Sequence, residues 1–167
     1  YLEADYIIIA NPDIHVTSRC IKRVKQALDN TEGAVMASAR VSDPQGKDLF
    51  SYWTLLPLWK DLLDTGLITR RLFKDMLNTP PYRLQIAGDE DSRLVDAVPG
   101  SFFMLKPGLL TPQDIEGLFD SHIFLYYEEK ALGRKFQEMG LKTVLVTDES
   151  YVHAHSVTID KSLKRIV

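Results

Sequence analysis

The chain has 167 residues, and 20 lysines and arginines against 23 aspartates and glutamates leave a net charge of −3. Hydrophobic residues make up 45% of it and charged residues 26%, which suits one globular domain with a substantial core and excludes a disordered tail or a disulfide scaffold. The acidic balance does not favour nucleic-acid binding, and no apolar run approaches the roughly 20 residues that span a bilayer. The single cysteine, Cys20, cannot form an internal disulfide, which favours a reducing compartment.

The start of the chain is unusual for a natural N-terminus. It opens on Tyr1, without a methionine, and reaches the apolar run 6–10 within five residues. We therefore expect residues 1–167 to be one domain that forms the C-terminal portion of a longer one. The run is short and β-branched, which predicts a strand buried on both faces, as in a parallel sheet. The triplet 11–13, Asn-Pro-Asp, ends it, because proline cannot donate to a strand ladder.

A helix and a second strand are predicted next. Thr17 or Ser18 can cap the helix at its start, and Gly33 is suited to end it. Residues 34–39 are apolar and predict the following strand. Strand, helix and strand in this order form a βαβ unit, the building block of α/β sheets. The apolar face of the helix would carry Ile21, Val24 and Leu28.

The remaining pattern alternates between regular elements and one long exception. Residues 43–46, Asp-Pro-Gln-Gly, have the chemistry of a turn. Residues 49–92 hold both tryptophans and a leucine-rich stretch, which indicates an insertion carried on the sheet. Further elements are predicted as strands at 94–98, 101–105 and 143–146, a helix from about Tyr127 to Met139 that stops at Gly140, and a last segment at 151–155.

Asp13 is the first candidate functional residue. In open α/β sheets, ligands bind beyond the carboxyl ends of the strands. Asp13 lies three residues past the end of the first predicted strand, in a turn fixed by proline. A carboxylate there suits Mg²⁺ or Mn²⁺ bridging to phosphates. The alternative is that Asp13 merely caps the following helix, a common role for aspartate.

Glu128 and Glu129 form the second candidate. At 100° per residue they fall on opposite borders of the helix's apolar stripe, where a carboxylate is partly removed from water and suits a general base. The alternative is that two acids in the first turn only favour the helix dipole. The stripe itself would consist of Leu125, Leu132, Phe136 and Met139.

His153 and His155 alternate with apolar residues, so a strand would place both imidazoles on one face. Such histidines can ligate a metal, although surface hydrogen bonding is the commoner role. Gly100, between two predicted strands, permits a close backbone approach to a ligand or simply forms a turn.

Three other features have weaker functional interpretations. The acidic triplet 89–91 could bind a cation, but such loops are usually only solvated. The aromatic and leucine-rich part of 49–92 suits core or lid packing better than docking to a membrane or an acceptor lipid. Cys20 has cationic neighbours, and we interpret it as an ordinary helix residue.

Five segments, taken in chain order, resemble family 2 inverting glycosyltransferases and specifically their rhamnosyltransferase-like branch. Residues 4–13 look like the strand and metal-binding turn, with Asn-Pro-Asp standing in for Asp-x-Asp. Residues 41–47 are similar to the Asp-Pro-x-Gly-Lys turn. The other segments are similar to the acceptor-side Gly-Ser/Ala region (95–105), the Phe-Leu-Tyr-x-Glu-Asp motif (119–120 and 124–129) and the late Val-x-His element (151–153).

The resemblance implies a GT-A fold, with a mixed, mostly parallel sheet flanked by helices and with its first βα units preceding Tyr1. It also implies a nucleotide-sugar donor and a divalent cation, Mg²⁺ or Mn²⁺. In that case Asp13 would bind the metal beside Asn11, Glu129 would be the catalytic base supported by Glu128, His153 would complete the metal or diphosphate site, and Gly100 and Ser101 would line the acceptor side.

The expected function is therefore transfer of a sugar, with inversion, to a saccharide or lipid-linked saccharide acceptor in cell-surface polysaccharide synthesis. We expect the protein in the cytoplasm or at the inner face of the cell membrane, with no nucleic-acid partner. Glu129 departs from the family, which usually has an aspartate there. That departure keeps open a non-catalytic GT-A-like binding or assembly module, and a nucleotidyltransferase is a third, weaker interpretation.

Overall fold

The computed structural model describes residues 4–55, 67–72, 85–119 and 128–154. The strands are β1 (Ile7–Ala10), β2 (Ile14–His15), β3 (Ala34–Ser42), β4 (Gln85–Ile86), β5 (Ser92–Val95), β6 (Phe102–Leu105) and β7 (Lys142–His153). The helices are α1 (Ser18–Asn30), α2 (Leu67–Leu72), α3 (Pro112–Glu116) and α4 (Glu128–Glu138), and Pro107–Leu109 forms a 3₁₀ turn. No helix among these residues is long and apolar enough to cross a membrane.

The described strands form one mixed sheet in the order β1-β6-β3-β7-β5-β4, and β2 pairs with the end of β7. Only the β3–β7 pairing is parallel within the described part of the chain; the other pairings are antiparallel. The α/β class and the mixed sheet are thus confirmed, whereas a mostly parallel sheet is not. The reason is that β6 lies antiparallel between β1 and β3, so the predicted βαβ unit has a strand inserted between its two strands.

Two apolar layers lie on the two faces of the sheet, because alternate residues of each strand point to opposite sides. Val144 and Val146 pack on the face that α1 covers, while Leu145 packs on the face that α4 covers. Phe102 and Phe103 divide between the two faces in the same way. The result is a helix–sheet–helix sandwich with a core on each side of the sheet.

The capping chemistry predicted for α1 is confirmed. Thr17 is the N-cap, and its side chain accepts a hydrogen bond from the backbone N–H of Cys20 at 3.1 Å. Val24 and Leu28 are buried as expected. The helix ends at Asn30 rather than at Gly33, which instead takes a φ of 74° in the turn that leads into β3.

The first strand is not buried on both faces. Its residues alternate between half-buried and exposed, and the Ile8 side chain is 45% exposed. Among the described strands it pairs only with β6, and no described element covers the outward face that carries Ile8. A β-branched apolar run therefore predicted the strand correctly but not its surroundings.

The later elements agree with the sequence in kind and differ in length. The strands predicted at 143–146 and 151–155 merge into the single long strand β7. Helix α4 ends before Gly140, which takes a φ of 71° as a stop residue does, and Met139 lies beyond its end and is 42% exposed, not part of the apolar stripe. Residues 120–127 and His155, which carried parts of the predicted motifs, lie outside the described residues, as does most of 56–84.

Candidate functional site

One edge of the sheet brings the predicted site residues together. Strands β1 and β3 both run antiparallel to β6, and β7 runs parallel to β3. The carboxyl ends of β1, β3 and β7 and the amino end of β6 therefore meet at the same edge. Asn11 follows β1, Ser101 precedes β6 and His153 ends β7, and all three line one cleft.

Asp13 and His153 are neighbours at this edge. The short strand β2, which begins one residue after Asp13, pairs Ile14 with His153. The backbone carbonyl of Asp13 also accepts a hydrogen bond from Ala154 N at 3.2 Å. As a result, the Asp13 Oδ2 and His153 Nε2 atoms are 3.3 Å apart. The interpretation of Asp13 as a helix cap is wrong, because Thr17 holds that position.

The geometry of this pair fits a divalent cation. Adjacent ligands of an octahedral Mg²⁺ lie about 3 Å apart, since each bond is about 2.1 Å long. A carboxylate oxygen and an imidazole nitrogen 3.3 Å apart can thus share one ion. The described residues contain no group of three or more histidine, cysteine, aspartate or glutamate side chains placed to hold a metal. This pair would therefore supply only part of a coordination shell and would leave positions for oxygens of a bound ligand.

Ser101 is held in place from two directions. Its backbone carbonyl accepts a hydrogen bond from Asn11 N at 2.9 Å, which ties the turn after β1 to the start of β6. Its hydroxyl lies 2.7 Å from the phenol oxygen of Tyr151, and both residues are buried. Burial raises the pKa of the Tyr151 phenol to about 12, so this group stays protonated at neutral pH. Tyr151 thus positions the cleft wall and does not serve as its base.

Glu129 reaches across to the turn before β6. Its Oε1 atom accepts a hydrogen bond from the backbone N–H of Gly100 at 3.2 Å. A Cβ atom on residue 100 would lie 3.0 Å from the same oxygen, which explains the glycine by close approach. Glu129 is half-buried and Glu128 is exposed, and both line the cleft. Since both also lie in the first turn of α4, the contribution of these acids to the helix dipole remains valid beside any chemical role.

The cleft is open, has a volume of about 690 Å³ and falls within the usual range for small-ligand sites. All the predicted site residues except Asp13 line it, and so do Leu49, Phe50 and Trp53, which the sequence analysis had assigned to an insertion. They lie there because the turn at 43–46 follows the carboxyl end of β3, which is at the same edge of the sheet as the other site residues. In that turn the Asp43 carboxylate accepts hydrogen bonds from Gln45 N and Lys47 N at 2.9 and 2.8 Å.

Glu90 and Asp91 of the acidic triplet are exposed, whereas Asp89 is half-buried and paired. The Arg23 guanidinium lies 2.7 Å from Asp89 and 2.9 Å from Asp148, so it links the loop to the surface of β7. Burial would raise the pKa of the Asp89 carboxyl, but the hydrogen bonds from Arg23 and Ser92 and the charge of Arg23 together outweigh it, so the pKa is lowered. These residues lie apart from the cleft lining and serve structure.

Cys20 is an ordinary helix residue, as expected. It is fully buried in α1. Burial, with smaller contributions from the charges of Glu149 and Asp148, raises the pKa of its thiol to about 12. Its cationic neighbours in the sequence therefore do not activate it.

Comparison with known proteins adds no assignment. No model of a known protein family matches this chain, and no curated protein sequence matches it.

Proposed function

We propose that this chain transfers a sugar from a nucleotide-sugar donor to an acceptor hydroxyl with inversion at the anomeric carbon, within a GT-A-type domain. The observation that carries the proposal is that His153 and Glu129 line one cleft and that Asp13 lies beside His153. Asp13 and His153 can share a cation, and Glu129 is a half-buried carboxylate beside a glycine turn. The order of the motifs that resemble glycosyltransferases supports the same function.

Glu129 acts as the base in the proposed reaction. It accepts the proton of the acceptor hydroxyl while the acceptor oxygen attacks the anomeric carbon of the donor. The bond from that carbon to the diphosphate oxygen breaks on the opposite side, and the nucleoside diphosphate leaves with the electron pair. Gly100 N holds Glu129 Oε1, and the Glu129 side chain lines the cleft in which the acceptor would bind.

Asp13 and His153 would hold the cation at the donor diphosphate. A divalent ion there, when bound, supplies Lewis-acid stabilisation of the charge on the leaving group. Asn11 lines the cleft next to this pair, and Gly100 and Ser101 form the acceptor side. The acceptor would be a saccharide or a lipid-linked saccharide of a cell-surface polysaccharide, handled at the cytoplasmic face of the membrane.

The test is calorimetric titration of the chain with UDP, GDP and dTDP, each with and without Mn²⁺. We expect one nucleotide to bind in a Mn²⁺-dependent manner. Asp13→Asn should weaken this binding at least about tenfold, because the amide removes the charge that faces the cation. Asp5→Asn is the matched control, since Asp5 is exposed and lies outside the cleft.

The opposite results have distinct meanings. Equal binding by the wild type and Asp13→Asn would remove Asp13 from the site. If folded protein binds no nucleotide with or without Mn²⁺, the transferase proposal fails and the binding or assembly module becomes the better interpretation.

A further inference from the structure

Three aromatic rings form a cluster at the mouth of the cleft. The rings of Phe50 and Tyr52 are stacked, with centroids 5.9 Å apart and an interplanar angle of 20°. Phe50 meets Trp53 edge-on, at 5.3 Å and 73°. Phe50 and Trp53 both belong to the cleft lining. We call these three residues the aromatic platform.

Phe50 is exposed although its surroundings are firmly attached, and Tyr52 and Trp53 beside it are half-buried. The Phe50 side chain is 65% exposed, which is unfavourable for a large apolar ring. Its backbone neighbours are nevertheless tied to the sheet and to the segment after β5. Leu49 N donates to Val41 O at 2.8 Å, and Trp53 exchanges backbone hydrogen bonds with Ala97 at 2.9 and 3.2 Å. A ring that is held in position and still faces water is typical of a binding surface rather than of incomplete packing.

The remainder of the cleft lining is polar. It includes the carboxylates of Glu128 and Glu129, the amide of Asn11 and the imidazole of His153. The cleft therefore combines aromatic carbon with hydrogen-bonding groups. This combination suits a pyranose ring, which presents C–H bonds on its faces and hydroxyl groups around its rim. A lipid chain would remove the two carboxylates from water without offering them hydrogen-bond donors, at a cost in free energy.

We propose that the platform, with Phe50 as its principal contact, stacks against a sugar ring of the acceptor. This inference deepens the proposed function and rests on it, because it identifies the acceptor as a saccharide at the point of attack. Stacking on the platform would leave the rim hydroxyls directed at the polar part of the cleft, which contains Glu129. Phe50 would thus determine which acceptors bind, while Glu129 takes the proton.

The probes for this inference are simple glycosides: methyl β-D-glucopyranoside, methyl α-D-mannopyranoside, methyl α-L-rhamnopyranoside and N-acetyl-D-glucosamine. Saturation-transfer NMR reports which sugar protons contact the protein, and titration gives the Kd. Each glycoside is measured alone and in the presence of Mn²⁺ with UDP, GDP or dTDP. We expect at least one glycoside to bind, with the strongest transfer to its ring C–H protons.

Three variants make the test specific. Phe50→Ala should weaken glycoside binding about fivefold, the loss expected for one aromatic contact. Phe50→Tyr should restore binding to within about twofold, because it keeps the ring. Phe119→Ala is the control, since Phe119 is also an exposed phenylalanine, 53% exposed. It lines a smaller neighbouring cavity that shares Gly100 and Glu129 with the cleft, and it does not line the cleft itself.

Several results would overturn the inference. These are binding of no glycoside under any condition, an equal loss in Phe50→Ala and Phe119→Ala, and binding to phosphatidylglycerol vesicles that depends on Phe50 when glycoside binding does not. Failure of this inference can be distinguished from failure of the proposed function. Mn²⁺-dependent nucleotide binding with a Phe50-independent glycoside response would refute the platform alone. Phe50-dependent glycoside binding without any nucleotide binding would keep the platform and refute the transferase.

Discussion

Glu128 and Glu129 are chemically identical neighbours, and the fold makes them different. Glu128 is exposed, whereas Glu129 is half-buried and accepts the Gly100 N–H at 3.2 Å. The backbone turn before β6 therefore holds Glu129, and not Glu128, in a fixed orientation. Glu129 is one methylene longer than the aspartate usual at this position in the glycosyltransferases that the sequence resembles. Its hydrogen bond to the Gly100 N–H holds the longer side chain in place.

If Glu129 is the base, as proposed, replacing it with glutamine should impair catalysis and leave binding intact. The amide oxygen can still accept the Gly100 N–H, but the group can no longer take a proton at neutral pH. We expect nucleotide binding to stay within about twofold, while release of nucleoside diphosphate from donor and acceptor falls by about 10²- to 10⁴-fold, the usual contribution of a general base. Both quantities can be measured on the same protein preparation.

The matched control for this variant is Glu138→Gln. Glu138 lies on the same helix, in its last turn, and is exposed. Its replacement should leave turnover unchanged. Turnover by Glu129→Gln at the wild-type rate would exclude Glu129 as the base, and an equal loss in both variants would indicate a general effect on α4.

At the scale of elements, α4 is placed by a glycine that the sequence analysis did not single out. Gly133 is buried in the middle of the helix, where glycine normally costs about 1 kcal/mol relative to alanine. A Cβ atom there would overlap the Asp96 carbonyl oxygen and lie 3.0 Å from the Ala97 Cβ. The missing side chain lets α4 pack directly on the chain after β5, and this contact sets the distance from Glu129 to Gly100.

Gly133→Ala should therefore destabilise the protein despite the better helix propensity of alanine. We expect a loss of about 1–3 kcal/mol in the free energy of unfolding, the range for overpacking a core, as measured by urea denaturation. Gly108→Ala is the control, because open space surrounds a Cβ at that position, and it should be neutral or slightly stabilising. Stabilisation by Gly133→Ala would show that α4 is free to move away from Asp96.

The difference between local signals and long-range pairing explains which parts of the site could be predicted from sequence. Periodicity and capping residues located α1, α4 and most strands, because these signals are local. The antiparallel insertion of β6 depends on long-range pairing that no local pattern encodes. For that reason the sequence placed Asp13 and His153 each at the end of a strand, but not 3.3 Å apart. Phe50 and Trp53 were missed as site residues for a similar reason, because aromatic residues in a predicted insertion suggest packing until the edge of the sheet at which they lie is known.

At the scale of the whole molecule, Asp29 connects parts of the chain that are far apart in sequence. Lying near the end of α1, it accepts hydrogen bonds from Lys25 at 2.7 Å, from Lys106 at 3.3 Å and from the Tyr6 hydroxyl. The hydrogen bond from Lys25, followed by that from Tyr6, lowers the pKa of the Asp29 carboxyl to about 2. The carboxylate thereby links the segment before β1 and the segment after β6 to the helix.

This link predicts a pH-dependent contribution to stability. The folded-state pKa lies below the unfolded value of about 3.9, so the contribution is fully present above about pH 4 and is lost as the pH falls towards about 2. The Asp29 side chain is 35% exposed, so solvent screening limits the effect to about 1 kcal/mol or less. Asp29→Asn should lower the free energy of unfolding by that amount at pH 6, and the difference from wild type should shrink between pH 4 and pH 2.5. Urea denaturation across this pH range measures the difference in the free energy of unfolding, with Asp5→Asn as the exposed control. A difference that stays constant with pH would mean that the ionised carboxylate does not hold these segments together.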